Sequence, residues 1–280
     1  MIAVTGATGH IGNVLVRKLA GTGMRIKALM LPGEDPKPLE STDAEIVSGD
    51  IRDKNSLIKA FSGAKIVFHL AGMISILRGQ RKMLDEVNVG GTKNVIDACL
   101  STGVEKLIYT SSIHALKEPP AGTIITEEQG FDPFKALGDY AKSKAKASME
   151  VLKAVKDGLY AVIICPTGVI GPFDFKGSEM GILTKYFLNK KIPACVKGAY
   201  DFVDVRDAAE GMIEAAKKGR SGETYILGGE QITIRGLFSM IEQLSGIKAP
   251  KLNIPSGLAR LCGLAAVPIY KYTRVKPLLT

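Results

Sequence analysis

The chain has 280 residues, of which 46% are hydrophobic, and it carries a formal net charge of +9 at pH 7. This length and hydrophobic content suit one α/β domain with a small appendage. No apolar run reaches the roughly 18 residues of a membrane helix, and the chain starts as a strand rather than a secretory signal. We therefore expect a cytoplasmic protein without a membrane span.

The basic residues indicate what the chain binds. They are spread over helix surfaces and form no long run interleaved with aromatic residues, which argues against a nucleic-acid partner. Such a field favours anionic small molecules instead. The four cysteines stand far apart in apolar contexts, without the close pairs of metal or redox motifs, so we predict buried, unreactive thiols and no metal site. They are Cys99, Cys165, Cys195 and Cys262.

Three glycines near the start of the chain separate a strand from a helix. Residues 2–4 are apolar and predict a buried strand, and the apolar periodicity of residues 11–19 predicts a helix. Backbone N–H groups and a helix N-terminus solvate a diphosphate where no side chain intervenes. We therefore predict a dinucleotide-binding turn, with a purely structural turn as the alternative. The predicted turn residues are Gly6, Thr8, Gly9, His10, Ile11 and Gly12.

Further strand and helix patterns alternate along the chain. This alternation predicts an α/β fold, a doubly wound Rossmann-type parallel sheet with helices on both faces. We assign residues 1–170 to a dinucleotide-binding Rossmann domain and residues 171–280 mostly to a small substrate-binding region, with some segments returning to the Rossmann core. The predicted strands are 25–30, 44–50, 65–72, 104–112, 159–165 and 223–229, and the predicted helices include 55–61, 134–154 and 234–246.

The end of the second strand bears on the choice between NAD and NADP. An acidic residue there would bind the adenosine ribose hydroxyls of NAD. Met30 occupies that place, which removes a repulsion against a 2′-phosphate, although no arginine stands there to bind one. Glu34 and Asp35 follow within reach, so both cofactors stay open, and we predict NADP in preference to NAD. The candidate phosphate partners are Lys27, Lys37 and Arg52.

The ends of the next strands supply further candidate cofactor contacts. Asp50 is placed to accept a hydrogen bond from the adenine amino group while Ile51 packs on the ring, although Asp50 or Asp53 also suits the cap of the following helix. Small residues at the fourth strand end let a dinucleotide lie close to the backbone. The residues predicted there and at the fifth strand end are Leu70, Ala71, Gly72 and Thr110.

Two polar residues near the fourth strand allow two interpretations each. His69 invites a catalytic role, but inside a buried strand a hydrogen-bonded structural role is the one we favour. Asn88, on a helix next to small residues, suits holding a backbone carbonyl or a proton-relay water, or equally a helix-packing amide.

Tyr140 and Lys144 are one helical turn apart, on the same face. A tyrosine hydroxyl has a reference pKa of about 10, and lowering it to near 7 requires roughly 4 kcal/mol. A neighbouring ammonium in a partly dehydrated crevice is the right group to supply much of this. Ser112 would orient a substrate oxygen. The alternative is a chance spacing on a solvated lysine face with Lys142 and Lys146.

The motifs at 5–12, 49–50, 69–72, 110–112 and 140–144, in this order, resemble those of extended short-chain dehydrogenases/reductases over essentially the whole chain. In that family the tyrosine is the acid/base, the lysine binds the nicotinamide ribose and tunes the tyrosine, and the serine binds substrate oxygen. The resemblance implies these roles for Tyr140, Lys144 and Ser112, with Ser111 as the rival serine. A homodimer through the helices around 82–100 and 139–156 is also implied.

Segments 166–174 and 200–207 resemble the dihydroflavonol-reductase and 3β-hydroxysteroid-dehydrogenase branch of this family, in which Pro166 and Gly168 would frame the nicotinamide carboxamide. Val169 is a further predicted cofactor contact. Asp207 precedes a periodic helix, so a helix cap and a functional role are both open for it. We expect 257–269 to form an amphipathic surface helix or lid. Relatives usually continue beyond 280, which leaves the completeness of the substrate pocket open. Four apolar residues could line the substrate pocket, but we expect at least two of them to lie in the ordinary core: Phe173, Phe175, Met180 and Phe202.

Three functions follow from these observations. The leading hypothesis is an NAD(P)-dependent oxidoreductase that interconverts a carbonyl and an alcohol on a small molecule. The second is a nucleotide-sugar epimerase or dehydratase, which would use the same residues with a tightly held NAD. The third is a non-catalytic dinucleotide-binding sensor, against which the intact tyrosine, lysine and serine set argues.

Overall fold

The computed structural model describes residues 1–75, 79–120 and 122–254. In chain order the strands are β1 (Ile2–Thr5), β2 (Ile26–Met30), β3 (Glu45–Ser48), β4 (Ile66–His69), β5 (Lys106–Thr110), β6 (Ala161–Pro166), β7 (Gly168–Ile170), β8 (Ala194–Val196), β9 (Ala199–Asp204), β10 (Thr224–Leu227), β11 (Glu230–Thr233) and β12 (Leu252–Ile254). The helices are α1 (His10–Ala20), α2 (Lys54–Phe61), α3 (Arg81–Leu84), α4 (Gly91–Thr102), α5 (Asp139–Lys156), α6 (Glu179–Leu188), α7 (Val205–Lys218) and α8 (Ile234–Ser245), and a π-helical segment, Asp85–Gly90, joins α3 to α4.

The chain divides into two compact units, Met1–Lys176 with Val203–Gly228, and Gly177–Phe202 with Gly229–Thr280. The first unit contains a seven-stranded sheet in the order β10-β6-β5-β4-β1-β2-β3, and its pairs are parallel. The order reverses between β1 and β4, which is where a doubly wound sheet binds its ligand. The predicted α/β fold with a Rossmann-type parallel sheet is confirmed.

Strand register determines which residues meet at this reversal. Thr5 pairs with His69, and His69 pairs with Tyr109 on the next strand, so three side chains stand in one row across β1, β4 and β5. Parallel strands carry their carboxyl ends at the same edge of the sheet. The residues that follow these three strands therefore share one edge.

Period-two alternation along the strands separates two apolar layers. Ile2 and Val4 pack with Leu15 of α1 and Met212 of α7, and Ala3, one residue between them, packs on the opposite side. The opposite layer is formed by α2, α4 and α5, whose core residues include Leu57, Phe61, Val95 and Val151. Both faces of the sheet are thus covered by helices, which explains why its strands read as continuous apolar runs.

Several predicted boundaries were wrong. The helix predicted over 134–154 begins at Asp139, because Gly138 has φ of +87° and lies outside the helical region. The cap of α7 is Asp204, whose carboxylate accepts a hydrogen bond from the backbone N–H of Arg206 at 2.8 Å, whereas Asp207 lies in the first helical turn. Most predicted strands were one to three residues too long at their ends, because the predicted ranges included glycines and polar residues that follow the ladder, such as Gly49, Asp50 and Ser112.

The second unit, described by itself, has a small core. β8 pairs in parallel with β12, β9 pairs antiparallel with β11, and Phe187, Cys195 and Phe238 are buried together. The rings of Phe187 and Phe238 stack with centroids 5.0 Å apart. A cavity of about 350 Å³ lies beside this core, lined in part by Lys190, Ile247 and Lys248. The predicted helix or lid at 257–269 lies outside the described residues, as does Cys262.

The four residues expected to form an apolar wall or core differ in how exposed their side chains are. Phe202 is buried, but Phe173 and Phe175 are 44% and 45% exposed and Met180 is half-buried, so the expectation that at least two are core was wrong. Phe173 instead places its ring 4.8 Å from the guanidinium carbon of Arg17. Within the described part of the chain, no helix is both long and apolar enough to cross a bilayer.

Candidate active site

The glycine turn is held in place by backbone contacts that exclude side chains. Gly6 has φ of +68°, and a Cβ added there would lie 2.6 Å from the backbone nitrogen of Ala71. A Cβ on Gly12 would overlap the carbonyl oxygen of Gly6. The turn therefore requires glycine at both positions, because the loop after β1 meets the segment after β4 on one side and α1 on the other at backbone distance.

The turn leaves the start of α1 open to an anion. Gly9 is the N-cap residue and has no side chain to cap the helix, and the first turn of α1 contains no acidic residue. The first N–H groups of a helix have no partner within that helix. Together with the helix dipole, they form a site that suits a diphosphate.

Two residues of the turn also bind the loop after β7. The ring of His10 donates from Nε2 to the carbonyl oxygen of Pro172 at 3.0 Å. Asn13 donates from Nδ2 to the carbonyl oxygens of Gly9 at 2.8 Å and Phe173 at 3.0 Å. Asn13 is fully buried and was not among the predicted site residues, although a polar side chain on an otherwise apolar helix face was an available signal.

A carboxylate lies beside the glycine turn although Met30 offers none. Glu34 accepts a hydrogen bond from the backbone N–H of Leu31 at 3.3 Å and pairs with the ammonium of Lys176, which also donates to the hydroxyl of Thr8 at 2.8 Å. Burial raises the pKa of Glu34, but hydrogen bonds from Lys176 and Thr8 outweigh it and hold the pKa below its ordinary value. Glu34 is therefore ionised at neutral pH, between the end of β2 and the turn.

Of the two aspartates considered as a cap for the helix after β3, Asp53 caps α2, because its carboxylate accepts a hydrogen bond from the backbone N–H of Asn55 at 3.0 Å. Asp50 instead pairs with Arg52, with a nitrogen–oxygen distance of 2.6 Å, and this bond holds the pKa of Asp50 below its ordinary value. Ile51 is buried against Gly91, where an added Cβ would lie 2.5 Å from its Cδ1 atom. The adenine contacts predicted for Asp50 and Ile51 stay predictions.

Ser112, Tyr140 and Lys144, hereafter called the catalytic group after their predicted roles, come together at the carboxyl edge of the sheet. The hydroxyl of Ser112 faces the phenol of Tyr140 closely enough to act on the pKa of the phenol. Lys144 is only 6% exposed, donates to the carbonyl oxygen of Thr110 at 2.5 Å and lies 4.7 Å from the ring centroid of Tyr109. Helix α5 and the end of β5 thus bring all three predicted catalytic residues to one place.

The pKa shifts within the catalytic group follow from burial. Burial raises the pKa of Tyr140 to about 12, with the hydroxyl of Ser112 opposing the rise. Burial lowers the pKa of Lys144 to about 8. At pH 7 the phenol is neutral and the ammonium is mostly charged. The free protein therefore holds Tyr140 as a proton donor, and not with the lowered pKa expected from the spacing alone.

The rival serine has a different environment. Ser148 donates its hydroxyl hydrogen to the carbonyl oxygen of Lys144 at 2.8 Å, so in the 2.7 Å contact between the two serine hydroxyls Ser111 is the donor. The buried thiol of Cys165, on the neighbouring strand β6, has its pKa raised by burial to about 12. The hydroxyl of Ser111 is engaged by Ser148, and Ser112 is the serine that acts on the phenol.

Asn88 holds backbone, as one of its alternatives predicted. Its Oδ1 accepts from the N–H of Met73 at 2.7 Å, and its Nδ2 donates to the carbonyl oxygen of Met73 and to the hydroxyl of Ser143, each at 2.9 Å. Gly72 lies beside it, where an added Cβ would be 3.1 Å from Oδ1. The π-helical segment places this amide between the loop after β4 and helix α5, and π-bulges of this kind recur at functional sites.

The other predicted cofactor residues follow the ends of β4, β5 and β6. Leu70 donates its N–H to the carbonyl oxygen of Thr5 at 3.1 Å, which continues the sheet one residue past β4. Thr110 and Pro166 end their strands and are buried, whereas Gly168 and Val169 in β7 are half-buried. These positions lie along the strand edge beside the glycine turn, but their contacts with a cofactor stay predictions.

Taken together, the residues fit a dinucleotide. The uncapped start of α1 suits the diphosphate, and the ammonium of Lys176 lies 2.8 Å from the Thr8 hydroxyl of the same turn. The hydroxyl of Thr110 is buried without a hydrogen-bond partner among the described residues, on the residue whose carbonyl oxygen accepts from Lys144. A buried polar atom of this kind at a crevice points to a ligand group that completes it.

Comparison with known proteins identifies the family. The model of the NAD dependent epimerase/dehydratase family matches residues 2–228. Sterol demethylase protein B of Methylococcus capsulatus is 35% identical, over 95% of this chain and 81% of that protein. A putative dihydroflavonol 4-reductase of Synechocystis is 34% identical, over 90% and 74% of the two chains.

Solved structures agree with these relatives. The crystal structure of gox2253 superposes with a TM-score of 0.88 at 33% identity, covering 100% of this chain and 85% of that one. Further relatives, named 3β-hydroxysteroid-dehydrogenase/decarboxylase, come from Arabidopsis thaliana.

The predicted resemblance to extended short-chain dehydrogenases/reductases of this branch is confirmed, and the chain belongs to the NAD dependent epimerase/dehydratase family.

Proposed function

We propose that the protein is an NAD(P)-dependent oxidoreductase that interconverts a carbonyl and an alcohol on a small molecule. The observation that carries the proposal is the contact of Ser112 with Tyr140 beside the buried ammonium of Lys144, at the edge where the glycine turn opens. A non-catalytic sensor has no need of this arrangement. The assignment of the three roles is part of the proposal.

The residues divide the chemistry in a simple way. Bound nicotinamide supplies or accepts the hydride. In the reduction, Tyr140 donates the proton of its hydroxyl to the substrate oxygen, and Ser112 donates a hydrogen bond to the same oxygen. The charge of Lys144 favours the resulting phenolate, which regains a proton from solvent, so the carbonyl becomes an alcohol with one hydride and one proton added.

We propose NAD in preference to NADP, on the evidence of Glu34. The prediction of NADP rests on the missing carboxylate at Met30, but the ionised carboxylate of Glu34 lies between the end of β2 and Thr8. This is where an acidic side chain would bind ribose hydroxyls and repel a 2′-phosphate. Lys176, already paired with Glu34, is then left to the diphosphate side of the turn.

We propose a bulky apolar or amphipathic substrate. The relatives named for sterol and dihydroflavonol chemistry suggest a ring alcohol or ketone. The segment just before Tyr140 supports this choice, because Phe134 is 94% exposed and Leu137 is 71% exposed. Large apolar side chains with that exposure beside a polar site are typical of ligand or partner contact.

The first experiment is to denature the purified protein and identify any released dinucleotide by mass spectrometry. Titrations of the stripped protein with NADH and NADPH follow, with nicotinamide fluorescence as the probe because the chain contains no tryptophan. We expect reversible binding, tighter for NADH, and oxidation of NADH with a cyclic ketone. Stoichiometric, tightly held NAD without net consumption of NADH would favour a nucleotide-sugar epimerase or dehydratase and contradict the proposal.

The cofactor choice has a separate test in Glu34→Gln. Removing the charge should improve the affinity for NADPH relative to NADH by about tenfold, because the repulsion of the 2′-phosphate is lost. Glu40→Gln, an exposed carboxylate of the following loop, is the matched control and should leave the ratio unchanged. A wild-type preference for NADPH that Glu34→Gln does not alter would overturn the assignment to Glu34.

We also propose a cytoplasmic homodimer built on α4 and α5. Leu100 on α4 is 51% exposed and Met149 on α5 is 48% exposed, which supplies apolar surface for such contact. Light scattering of Met149→Lys against the wild type tests it. A monomeric wild type would contradict this part alone.

A further inference from the structure

A line of hydrogen bonds crosses the sheet at the strand reversal, hereafter the hydroxyl–imidazole chain of Thr5, His69 and Thr92. The hydroxyl of Thr5 lies 2.7 Å from Nδ1 of His69, and Nε2 of His69 lies 3.1 Å from the hydroxyl of Thr92. All three side chains are at most 1% exposed. Because the groups are buried and on three different elements, their contacts are set by the tertiary structure.

The direction of every bond can be worked out from one end. Thr92 donates its hydroxyl hydrogen to the carbonyl oxygen of Asn88 at 2.6 Å, because a carbonyl only accepts. The Thr92 oxygen must then accept from His69, so Nε2 carries the proton. Nδ1 is left as an acceptor, so Thr5 donates to it.

The other end of the chain is fixed in the same way. The oxygen of Thr5, having given its hydrogen to the ring, accepts from the backbone N–H of Ala71 at 3.2 Å. The bonds therefore run in one direction, from Ala71 through Thr5, His69 and Thr92 to the carbonyl of Asn88. Burial and the nearby charge of Lys144 lower the pKa of His69 to about 3, so the neutral ring that this order requires is the form present at pH 7.

Both ends of the chain meet the candidate active site. Ala71 follows β4 at the crevice edge, where its backbone also closes against Gly6 of the glycine turn. Asn88 uses its side chain to hold Met73 and, through Ser143, the helix of the catalytic group, since Ser143 donates to the carbonyl oxygen of Tyr140 at 2.7 Å. The cofactor turn and the catalytic helix are thus joined by one buried path.

We propose that His69, held as the neutral Nε2–H tautomer, is a positioning residue that sets residues 71–73 against the helix of Tyr140. This inference rests on the proposed function, since it assigns His69 a part in the geometry of that site. An imidazole suits the position because it accepts on one side and donates on the other at a fixed separation. Neither an amide nor a hydroxyl spans both contacts without moving a strand.

Helix α4 offers a matched pair of threonines for the test. Thr92 and Thr102 each donate to the carbonyl four residues earlier, but only Thr92 also accepts from His69. We expect Thr92→Val to lower kcat about tenfold while the Kd of NADH changes by less than about threefold, because misplacement affects reaction more than binding. Thr102→Val should change neither quantity, and Thr92→Ser should restore kcat.

The tautomer is tested independently of activity by ¹⁵N NMR of the histidine rings, of which the chain has three. Single variants of His10 and His114 assign the remaining signals to His69. We expect a protonated Nε2, an unprotonated Nδ1 and no titration between about pH 5 and 8. An Nδ1–H ring, or a ring that titrates in this range, would overturn the inference even if the protein proves to be an oxidoreductase.

A kcat for Thr92→Val equal to that of Thr102→Val would also overturn it. If the protein shows no redox activity at all, the proposed function fails, while the NMR result still decides whether the ordered chain exists.

Discussion

Two buried polar groups lie at the same edge of the sheet and differ in how well their partners satisfy them. In the hydroxyl–imidazole chain each donor has an acceptor, and the ring is neutral. In the catalytic group, by contrast, Lys144 is a buried cation whose pKa is lowered, and the phenol of Tyr140 has its pKa raised. Satisfied networks rigidify a core, whereas displaced pKa values recur where chemistry is done.

The difference separates support from reaction. Groups that hold a geometry lose nothing by being fully paired, because their hydrogens do not move during turnover. Groups that transfer a proton must keep a hydrogen and a charge available, which burial makes unfavourable. The two sets are only a strand apart, so substitutions in each should have distinguishable effects on stability and on turnover.

The largest expected effect is on turnover in Tyr140→Phe. Loss of a positioned acid should lower kcat by about 10²- to 10⁴-fold, because no other donor replaces the phenol hydrogen. NADH affinity, measured by fluorescence, should change little. Tyr160→Phe is the control, since that hydroxyl bonds the carbonyl of Gly219 away from the site. Comparable rates in the wild type and Tyr140→Phe would remove the role of Tyr140.

The second prediction concerns stability in Lys144→Met. The pKa of Lys144 is about 8 in the folded protein and 10.5 ordinarily, so the unfolded chain binds more protons between these values. The wild type should therefore gain stability as pH rises from 8 to 10.5. At pH 7 we expect Lys144→Met to be more stable by about 2 kcal/mol, after the lost hydrogen bond to Thr110 is allowed for.

Urea unfolding at pH 7, 9 and 10.5 measures this effect, and the advantage of Lys144→Met should shrink across the series. Lys153→Met, at an exposed position of the same helix, is the control and should show no such trend. A Lys144→Met protein that is less stable at pH 7 would show that the ammonium is well accommodated, and the contrast between the two groups would fail.

The smallest expected effects separate the adjacent serines. Ser112→Ala should lower kcat about tenfold, because one hydrogen bond to the substrate oxygen is lost, with little change in stability. Ser111→Ala should instead lower the free energy of unfolding by about 1 kcal/mol, because the buried hydroxyl of Ser148 loses its donor. Kinetics and urea unfolding of both variants test this, and the reverse assignment would make Ser111 the substrate serine.

The sequence predicted much of the architecture because that information is local. Apolar runs, the glycine spacing and the separation of Tyr140 from Lys144 each lie within a few residues, and the resulting sheet has the predicted class. Boundaries were less predictable, as the start of α5 shows. The apolar pattern begins before Gly138, but the backbone conformation of this glycine keeps the helix from starting earlier than Asp139. The spacing of apolar residues carries no information about the backbone dihedral angle φ of a glycine between them.

The site was harder to predict wherever its contacts are long-range. Glu34 was noted as within reach, but its contact with Thr8 depends on Lys176, 142 residues further along the chain. The two roles of Asn88 remained equal in the sequence, and the structure shows both, because the amide bonds the backbone of Met73 and also the hydroxyl of Ser143 on α5. A polar residue in an apolar strand or helix face, as at Thr5, Asn13 and Thr92, was the available signal for the rest.

The sequence by itself determined the glycine turn, the order of strands and helices and the one-turn spacing of Tyr140 and Lys144, because these depend on backbone freedom and helical periodicity. Only the tertiary structure decided which serine meets the phenol, which way the pKa of Tyr140 moves and how His69 is protonated. Those outcomes depend on burial and on partners far away in sequence, and neither is contained in any local pattern of residues.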